Sequence, residues 1–244
     1  MEQIDLLFYL LLFIVAFLYA SVGHGGASGY LALMAFYSFT PDTMKSSALI
    51  LNILVSLIAF IQFYRAGFFN FKLFYPFALT SIPAAFLGGM ITLDDHIYKK
   101  ILGVLILLPI IKFLGIDSKN ERALRKQNLI LSLLIGSIIG LLSGMMGIGG
   151  GIILTPLILV LNWAKMKETA ALSALFIFVN SIAGLIGLLV KGVSFSSDIY
   201  IFISIAFTGG ILGSYLGARK LNNMILKFIL AAVLIIASIK LMTT

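Results

Sequence analysis

Two short stretches hold the residues best able to bind or move charge. The first reads Ser21-Val22-Gly23-His24-Gly25-Gly26-Ala27-Ser28-Gly29 and the second Ser143-Gly144-Met145-Met146-Gly147-Ile148-Gly149-Gly150-Gly151. Each interrupts a long apolar run with residues that are poor in a helix interior, because glycine gives up the most backbone freedom there. Where a helix restarts after such a break, its first N–H groups have no internal partner and its dipole is positive. An anion placed there gains about 0.3–1 kcal/mol, and up to about 2 kcal/mol when partly buried. Two such ends facing one point suit an oxyanion or carboxylate, which accepts several N–H bonds at once. The candidate binding groups are therefore Gly23, Gly25, Gly26, Gly147, Gly149, Gly150 and Gly151, with the hydroxyls of Ser21, Ser28 and Ser143 beside them. Asn52 and Asn180 are amides inside apolar runs and join the set as candidate contacts. Packing alone offers the competing account: glycines let helices approach closely, as the four-residue spacing of Gly136, Gly140 and Gly144 suggests, and an interhelical hydrogen bond satisfies an asparagine.

His24 is the one titratable group inside a break. Imidazole has a reference pKa of about 6.5, and a bound anion favours its protonated form. His24 is thus a candidate substrate contact and proton carrier. Its counterpart in the second stretch is Ile148, so a structural histidine stays open as the alternative. His96, beside Asp94 and Asp95, reads as a solvated loop residue.

The chemistry that is missing narrows the field. All nine acidic residues (Glu2, Asp5, Asp42, Asp94, Asp95, Asp117, Glu121, Glu168, Asp198) fall in or next to loops. A charge at the centre of a bilayer costs roughly 2.5–3.5 kcal/mol on insertion scales, so buried acidic ion sites announce themselves in sequence. A cation site built from acids, paired-carboxylate hydrolysis and a carboxylate metal site are therefore not expected. The absence of cysteine excludes disulfides and thiolate chemistry. No G-x-x-x-x-G-K-[ST] stretch occurs, so the chain carries no nucleotide site of that type. No catalytic residue, metal or cofactor is expected.

The elements that must position these groups are membrane helices. The chain of 244 residues is 61% hydrophobic and 11% charged, against roughly 45–50% and roughly 25% in soluble domains. Its net charge of +8 is spread over loops rather than clustered with aromatics, which argues against nucleic acid as a partner. The first apolar run follows Glu2 and Asp5 and reads as a retained helix, not a signal peptide. The expected runs are Ile4 to Ala20, Tyr30 to Phe39 (ending at a Thr40-Pro41-Asp42 turn signal), Ser46 to Tyr64, Leu73 to Leu93 and Ile97 to Leu114. After the polar stretch Asp117 to Gln127 come Leu129 to Met146, Ile152 to Trp163, Thr169 to Val190, Ile199 to Leu216 and Ile225 to Met242. This divides the chain into a first membrane repeat (1–116), a cytoplasmic linker (117–127) and a second membrane repeat (128–244).

Landmarks recur between the halves at a spacing of about 122 to 128 residues: Gly23, Gly25 and Gly26 with Gly147, Gly149 and Gly150; Met44-Lys45 with Met166-Lys167; Ser56 and Gly67 with Ser181 and Gly192; Gly89, Lys99 and Lys112 with Gly217, Lys227 and Lys240. The fold class is an all-α polytopic membrane protein of two repeats with about five elements each. An odd number of crossings inverts one repeat against the other, and Gly-rich interruptions in corresponding places are the sequence sign of discontinuous helices meeting near the midplane. With the N-terminus outside, twelve lysines and arginines lie on the inner side and five on the outer, which favours a cell-membrane topology with both termini outside and the linker in the cytoplasm. Each break is either a full crossing or a re-entrant hairpin, since both leave the loops on the same sides.

The residues Gly23-His24-Gly25-Gly26, Gly144 to Gly151, Pro156 and the run Gly209 to Arg219 ending Leu216-Gly217-Ala218-Arg219 resemble the sulfite exporter TauE/SafE family, also called the toluene sulfonate uptake permeases. The resemblance spans nearly the whole chain. It implies secondary transport of small sulfur-containing or organic anions of the sulfite, sulfoacetate or sulfonate type, without selecting among them. Partners would be the anion, the bilayer, a coupling proton or sodium ion, and in the assembly a second copy of the chain. An anion channel is the nearest rival. An intramembrane hydrolase using Ser21 or Ser143 with His24 is remoter, since Ser143 lacks the G-x-S-x-G setting and no acid orients the histidine.

Overall fold

The computed structural model describes residues 6–21, 24–115, 124–193, 195, 198–217, 235 and 238–239. Among them the regular elements are α-helices: α1 (Leu6–Ser21), α2 (Ala27–Phe36), α3 (Pro41–Arg65), α4 (Phe71–Met90), α5 (Asp95–Gly115), α6 (Leu129–Met146), α7 (Gly151–Val160), α8 (Met166–Val190) and α9 (Ile199–Gly217). The expected run Ile225 to Met242 lies almost wholly outside the described residues, as do most of the linker, Gly23 and the side chain of Ser21.

Helix starts follow local chemistry more closely than hydropathy does. The Thr40-Pro41-Asp42 turn signal is the beginning of α3: Thr40 is extended (φ −67, ψ 148), Pro41 stands in the first turn and Asp42 faces the helix dipole. Proline's fixed φ and missing N–H suit that position. The third element therefore starts five residues before the expected Ser46 and takes Lys45 into the helix. Asn70 caps α4 through the N–H groups of Lys72 and Leu73, and Asn128 caps α6 through that of Leu131. The side chain of Asp94 accepts from the backbone of His96, an exposed residue as expected.

Among the described residues four helices, α3, α4, α6 and α8, are long and apolar enough to cross a membrane. By contrast α2 and α7 have ten residues each, about 15 Å, half of a hydrocarbon core about 30 Å thick. They are the short limbs of two hairpins. At one end of the molecule Phe8, near the start of α1, stacks on Phe39 just past α2, with centroids 5.3 Å apart. At the other, the Arg125 N–H before α6 donates to Asn162 O just past α7 at 2.7 Å. Each hairpin thus returns to the side it left, and the Gly-rich break is its tip.

The hairpins are clasped crosswise. A β-carbon at Gly136, Gly140 or Gly144 of α6 would collide with the carbonyl oxygens of Phe77, Ser81 and Ala85 of α4, so these two helices run parallel in close contact. Likewise Gly209 and Gly213 of α9 lie on the carbonyl oxygens of Phe13 and Phe17 of α1. The glycine stripe read from sequence as a packing surface is one. The third helix of each half meets the other at the centre: Leu49 of α3 faces Gly184 of α8, while Phe68 beyond α3 lies under Lys167 at the start of α8, 4.9 Å from Nζ to the ring centroid. One number rises as the other falls, so α3 and α8 are antiparallel. Backbone positions with positive φ recur in the same order in both halves, Gly26 and Gly150, Ser38 and Asn162, Gly67 and Gly192, each pair 124 or 125 residues apart.

Candidate functional site

Each tip is built by glycine geometry. In the first, the His24 N–H donates to Tyr19 O at 3.0 Å and closes α1; Gly26 then takes φ 95 and starts α2, its carbonyl accepting from Gly29 and Tyr30. In the second, Gly147 takes φ 77 and caps α6 through Ser143 O; Gly149 (φ 70) and Gly150 (φ 76) turn the chain, and Gly150 O accepts from Ile153 and Leu154. This left-handed backbone is strained for any residue with a β-carbon. Neither α2 nor α7 has a side-chain cap, and with Gly29 and Ile153 already bonded to Gly26 O and Gly150 O, the first-turn N–H groups left without a cap are those of Ala27 and Ser28 at one tip and of Gly151 and Ile152 at the other.

The tips meet on two residues of the central helices. A β-carbon on Gly25 would stand 3.1 Å from both Asn52 Oδ1 and Ile177 Cγ2; one on Gly149 would stand 2.8 Å from Asn52 Nδ2, 2.8 Å from Ile177 Cγ2 and 3.1 Å from Ser181 Oγ. Asn52 of α3 and Ile177 of α8 therefore sit between the two breaks, and both are buried. Neither Nδ2 nor Oδ1 of Asn52 has a hydrogen-bond partner, nor do the hydroxyls of Ser143 and Ser181. Burying such a group unpaired costs about 1–3 kcal/mol. A cluster of them at one point is an explicit exception to how interiors are built, and it converges on the tips.

The remaining candidates fall in different places. Ser28 is buried, but its hydroxyl shares a 2.6 Å bond with the Tyr19 hydroxyl, fastening the start of α2 to α1. Asn180 donates to Phe176 O of its own helix at 2.8 Å and leaves Oδ1 unpaired. His24 is buried in the first tip. Gly150 and Gly151 pack on Phe176 and Ile177, and the Thr155 hydroxyl ties Gly151 O to Ser173 of α8. With the Ser143 hydroxyl unpartnered, the serine–histidine pairing considered for a hydrolase is not formed at that serine.

Sequence reasoning did not single out Ile177, Ser181 or Lys45 as parts of the site. Ser181 carries a signal, its match to Ser56 in the other half, whose hydroxyl bonds Asn52 O at 2.6 Å. Lys45 reads as a loop charge, yet it is buried with its backbone against Gly147, and Nζ donates to Gly89 O and Ile91 O at the end of α4. It lines a cavity of about 100 Å³ with Thr40, Asp42, Thr92, Asp95 and Tyr98, and Tyr98 in turn donates to Met146 O just ahead of the second tip.

The family model described as "Sulfite exporter TauE/SafE" matches residues 8–241. A probable membrane transporter protein, y4hK of Sinorhizobium fredii, is 35% identical over 94% of this chain and 95% of its own. Similar proteins of the same description are MJ0441 of Methanocaldococcus jannaschii, 27% identical over 72% of this chain and 69% of its own, and YjnA of Bacillus subtilis, 26% identical over 90% and 92%. No solved structure matches the chain.

Proposed function

The chain belongs to the sulfite exporter TauE/SafE family of membrane transporters, and we propose that it is a secondary transporter that carries a small anion past the two glycine tips by alternating access. The observation that carries the reading is Asn52, fully buried, with both ends of its amide unpaired between two uncapped helix starts. Amide N–H, serine hydroxyls and first-turn backbone N–H groups can together ring an oxyanion. Such a site offsets the charge without a buried cation of opposite sign.

The two halves act as inverted repeats in this reading. Support comes from the antiparallel α3 and α8, from the crosswise pairs α4 with α6 and α1 with α9, and from the recurrence of positive φ. The termini lie outside and the linker in the cytoplasm, so that Arg65, Lys72, Arg125, Lys126, Lys165 and Lys167 face inward. Asn52 and Ile177 close on Gly25 and Gly149 with no gap, which favours a carrier that parts its tips on one side at a time over an open channel. The family's description points to sulfur-containing anions as cargo.

The test is counterflow in proteoliposomes, loaded with unlabelled sulfite or a small sulfonate and fed the labelled ion, with and without a pH or sodium gradient. Saturable counterflow supports the carrier. Linear flux that never shows counterflow overturns it in favour of a channel, and no flux of any anion overturns transport of anions altogether.

A further inference from the structure

Behind the second tip lies a polar junction that the first half does not repeat. Helices α4, α6 and α8 meet there. A β-carbon on Gly184 would stand 3.2 Å from Gly144 Cα and 3.7 Å from Ala85 O, and one on Gly89 would stand 3.1 Å from Leu188 N, so α8 rises alongside α4. Four residues earlier on the three helices come Asn180, Gly140 and Ser81, the last two in direct contact. Ser143 closes the group from the last turn of α6, its Cβ 3.4 Å from where a β-carbon on Gly150 would stand. Ser81, Ser143 and Asn180 are fully buried, and Ser81 Oγ, Ser143 Oγ and Asn180 Oδ1 have no hydrogen-bond partner. The corresponding junction of α9, α1 and α3 is closed by paired or apolar groups. There, 124 or 125 residues away, Tyr19 with its hydroxyl on Ser28 stands for Ser143, and Val55 stands for Asn180, 3.3 Å from a β-carbon at Gly210 of α9. Packing in this architecture therefore does not require the three oxygens.

What the three atoms share is the ability to accept. Asn180 spends its Nδ2 on Phe176 O at 2.8 Å and keeps only an acceptor, Oδ1. A hydroxyl oxygen carries two lone pairs besides its proton. Ser143 also sits at the C-terminal end of α6, where the helix dipole is negative and where interrupted helices hold cations. We propose that Asn180 Oδ1, Ser81 Oγ and Ser143 Oγ hold a small monovalent cation, sodium, directly behind the second tip. No carboxylate stands among these three residues, which suits one charge rather than two, and an all-oxygen set does not suit the metals that take nitrogen or sulfur. The role of the cation rests on the anion-carrier reading: travelling with a monoanion, it cancels the charge moved across the membrane potential. Ser143 links the two ligands, because a serine whose oxygen holds a cation still has its proton to give to an anion at the tip. Each ligand then raises the affinity for the other by the same factor.

The experiment first reads binding apart from transport, as melting of the purified protein in detergent with NaCl, KCl or choline chloride at equal ionic strength. Sodium should raise the midpoint by about 5 °C at saturation, along a hyperbolic dose curve, while potassium and choline leave it unchanged. Ser81→Ala and Asn180→Leu should each weaken the apparent sodium affinity by at least about tenfold without lowering the midpoint in choline, since each removes a buried oxygen that has no partner. In proteoliposomes, sodium on both sides should raise the apparent affinity for the labelled anion in counterflow by at least about fivefold. No sodium shift, a shift that potassium or choline matches, or one that survives both substitutions overturns the site and leaves the carrier untouched. A shift in melting with counterflow unchanged keeps the site and removes the coupling. If sodium stabilises the protein and no anion moves, the site stands and the carrier reading falls. Should Asn180→Leu fail to fold, Ser81→Ala decides alone.

Discussion

Lys45 reaches back from the first turns of α3 and donates from Nζ to the carbonyl oxygen of Gly89, 3.2 Å away, near the end of α4. A second bond goes to Ile91 O at 3.3 Å, and the Lys45 backbone lies against Gly147, so one residue fastens a helix end to the second tip. Lys167, which matches it as a sequence landmark two or three residues off the structural register, is exposed on the ring of Phe68. The two ends of the molecule are thus unequally held, one by buried hydrogen bonds to a charged group and one by a surface contact.

Lys45→Met keeps the stem and removes the donor, leaving two helix-end carbonyls without their partner. Hydrogen bonds to charged groups contribute about 1.5–3 kcal/mol, so the end of α4 should loosen. The chain has no cysteine, which makes a single Met145→Cys a clean reporter at the cavity beside the second tip. Maleimide labelling of that cysteine should be several-fold faster with Lys45→Met than with lysine present; equal rates would mean that Lys45 holds nothing shut.

The glycine contacts predict a graded series in thermal unfolding. Gly140→Ala and Gly144→Ala drive a methyl into the carbonyl oxygens of Ser81 and Ala85, and overpacking of this kind costs about 1–3 kcal/mol or more when backbone must move. Gly67 has positive φ but open space, so Gly67→Ala should cost about 1 kcal/mol, the left-handed penalty alone. Melting in detergent should rank both α6 variants below Gly67→Ala, and the reverse order would remove α4–α6 contact as the clasp.

Asn52→Leu separates function from stability. It removes two unpaired polar atoms from the interior, so the melting temperature should hold or rise. Counterflow should fall by at least about tenfold, because the variant strips the amide from between the tips. A variant that melts early and still transports would make Asn52 a packing residue.

Much of this arrangement is legible in the chain because each signal has a local cause. Hydropathy marks the runs, glycine marks the tips, and the spacing of Gly23 to Gly26 against Gly147 to Gly150 is the spacing at which positive-φ positions recur, Gly26 with Gly150 and Ser38 with Asn162. What stayed hidden depends on facing, which hydropathy does not carry. Ile177 and Ser181 are four residues apart and share one face of α8, whereas Asn180, the residue that looks like a ligand, is turned by about 100° from Ser181 and bonds its own helix at Phe176 O. Asn52 and Ser56 show the same four-residue spacing on α3, and there the asparagine does face the tips. Lys45 was hidden for another reason: a lysine beside Pro41 and Asp42 reads as a loop, and its burial follows from the capping of α3 and the proximity of α4, a tertiary fact.

His24 gives the last prediction, and its sign can be worked out. A bound anion favours the protonated imidazole, so by linkage protonation favours the anion. With His24 as the proton carrier, apparent anion affinity in the wild type falls as pH rises through the range in which the imidazole loses its proton, by at most about tenfold per unit. In His24→Gln, which retains hydrogen bonding without a titrating group, affinity should be flat with pH and lie at the weak, high-pH level. Competition curves at several pH values in the same vesicles read both. A slope that survives in His24→Gln would assign the proton to the anion itself, and the imidazole would then serve the first tip as the structural neighbour of Tyr19, whose carbonyl accepts from its backbone at 3.0 Å.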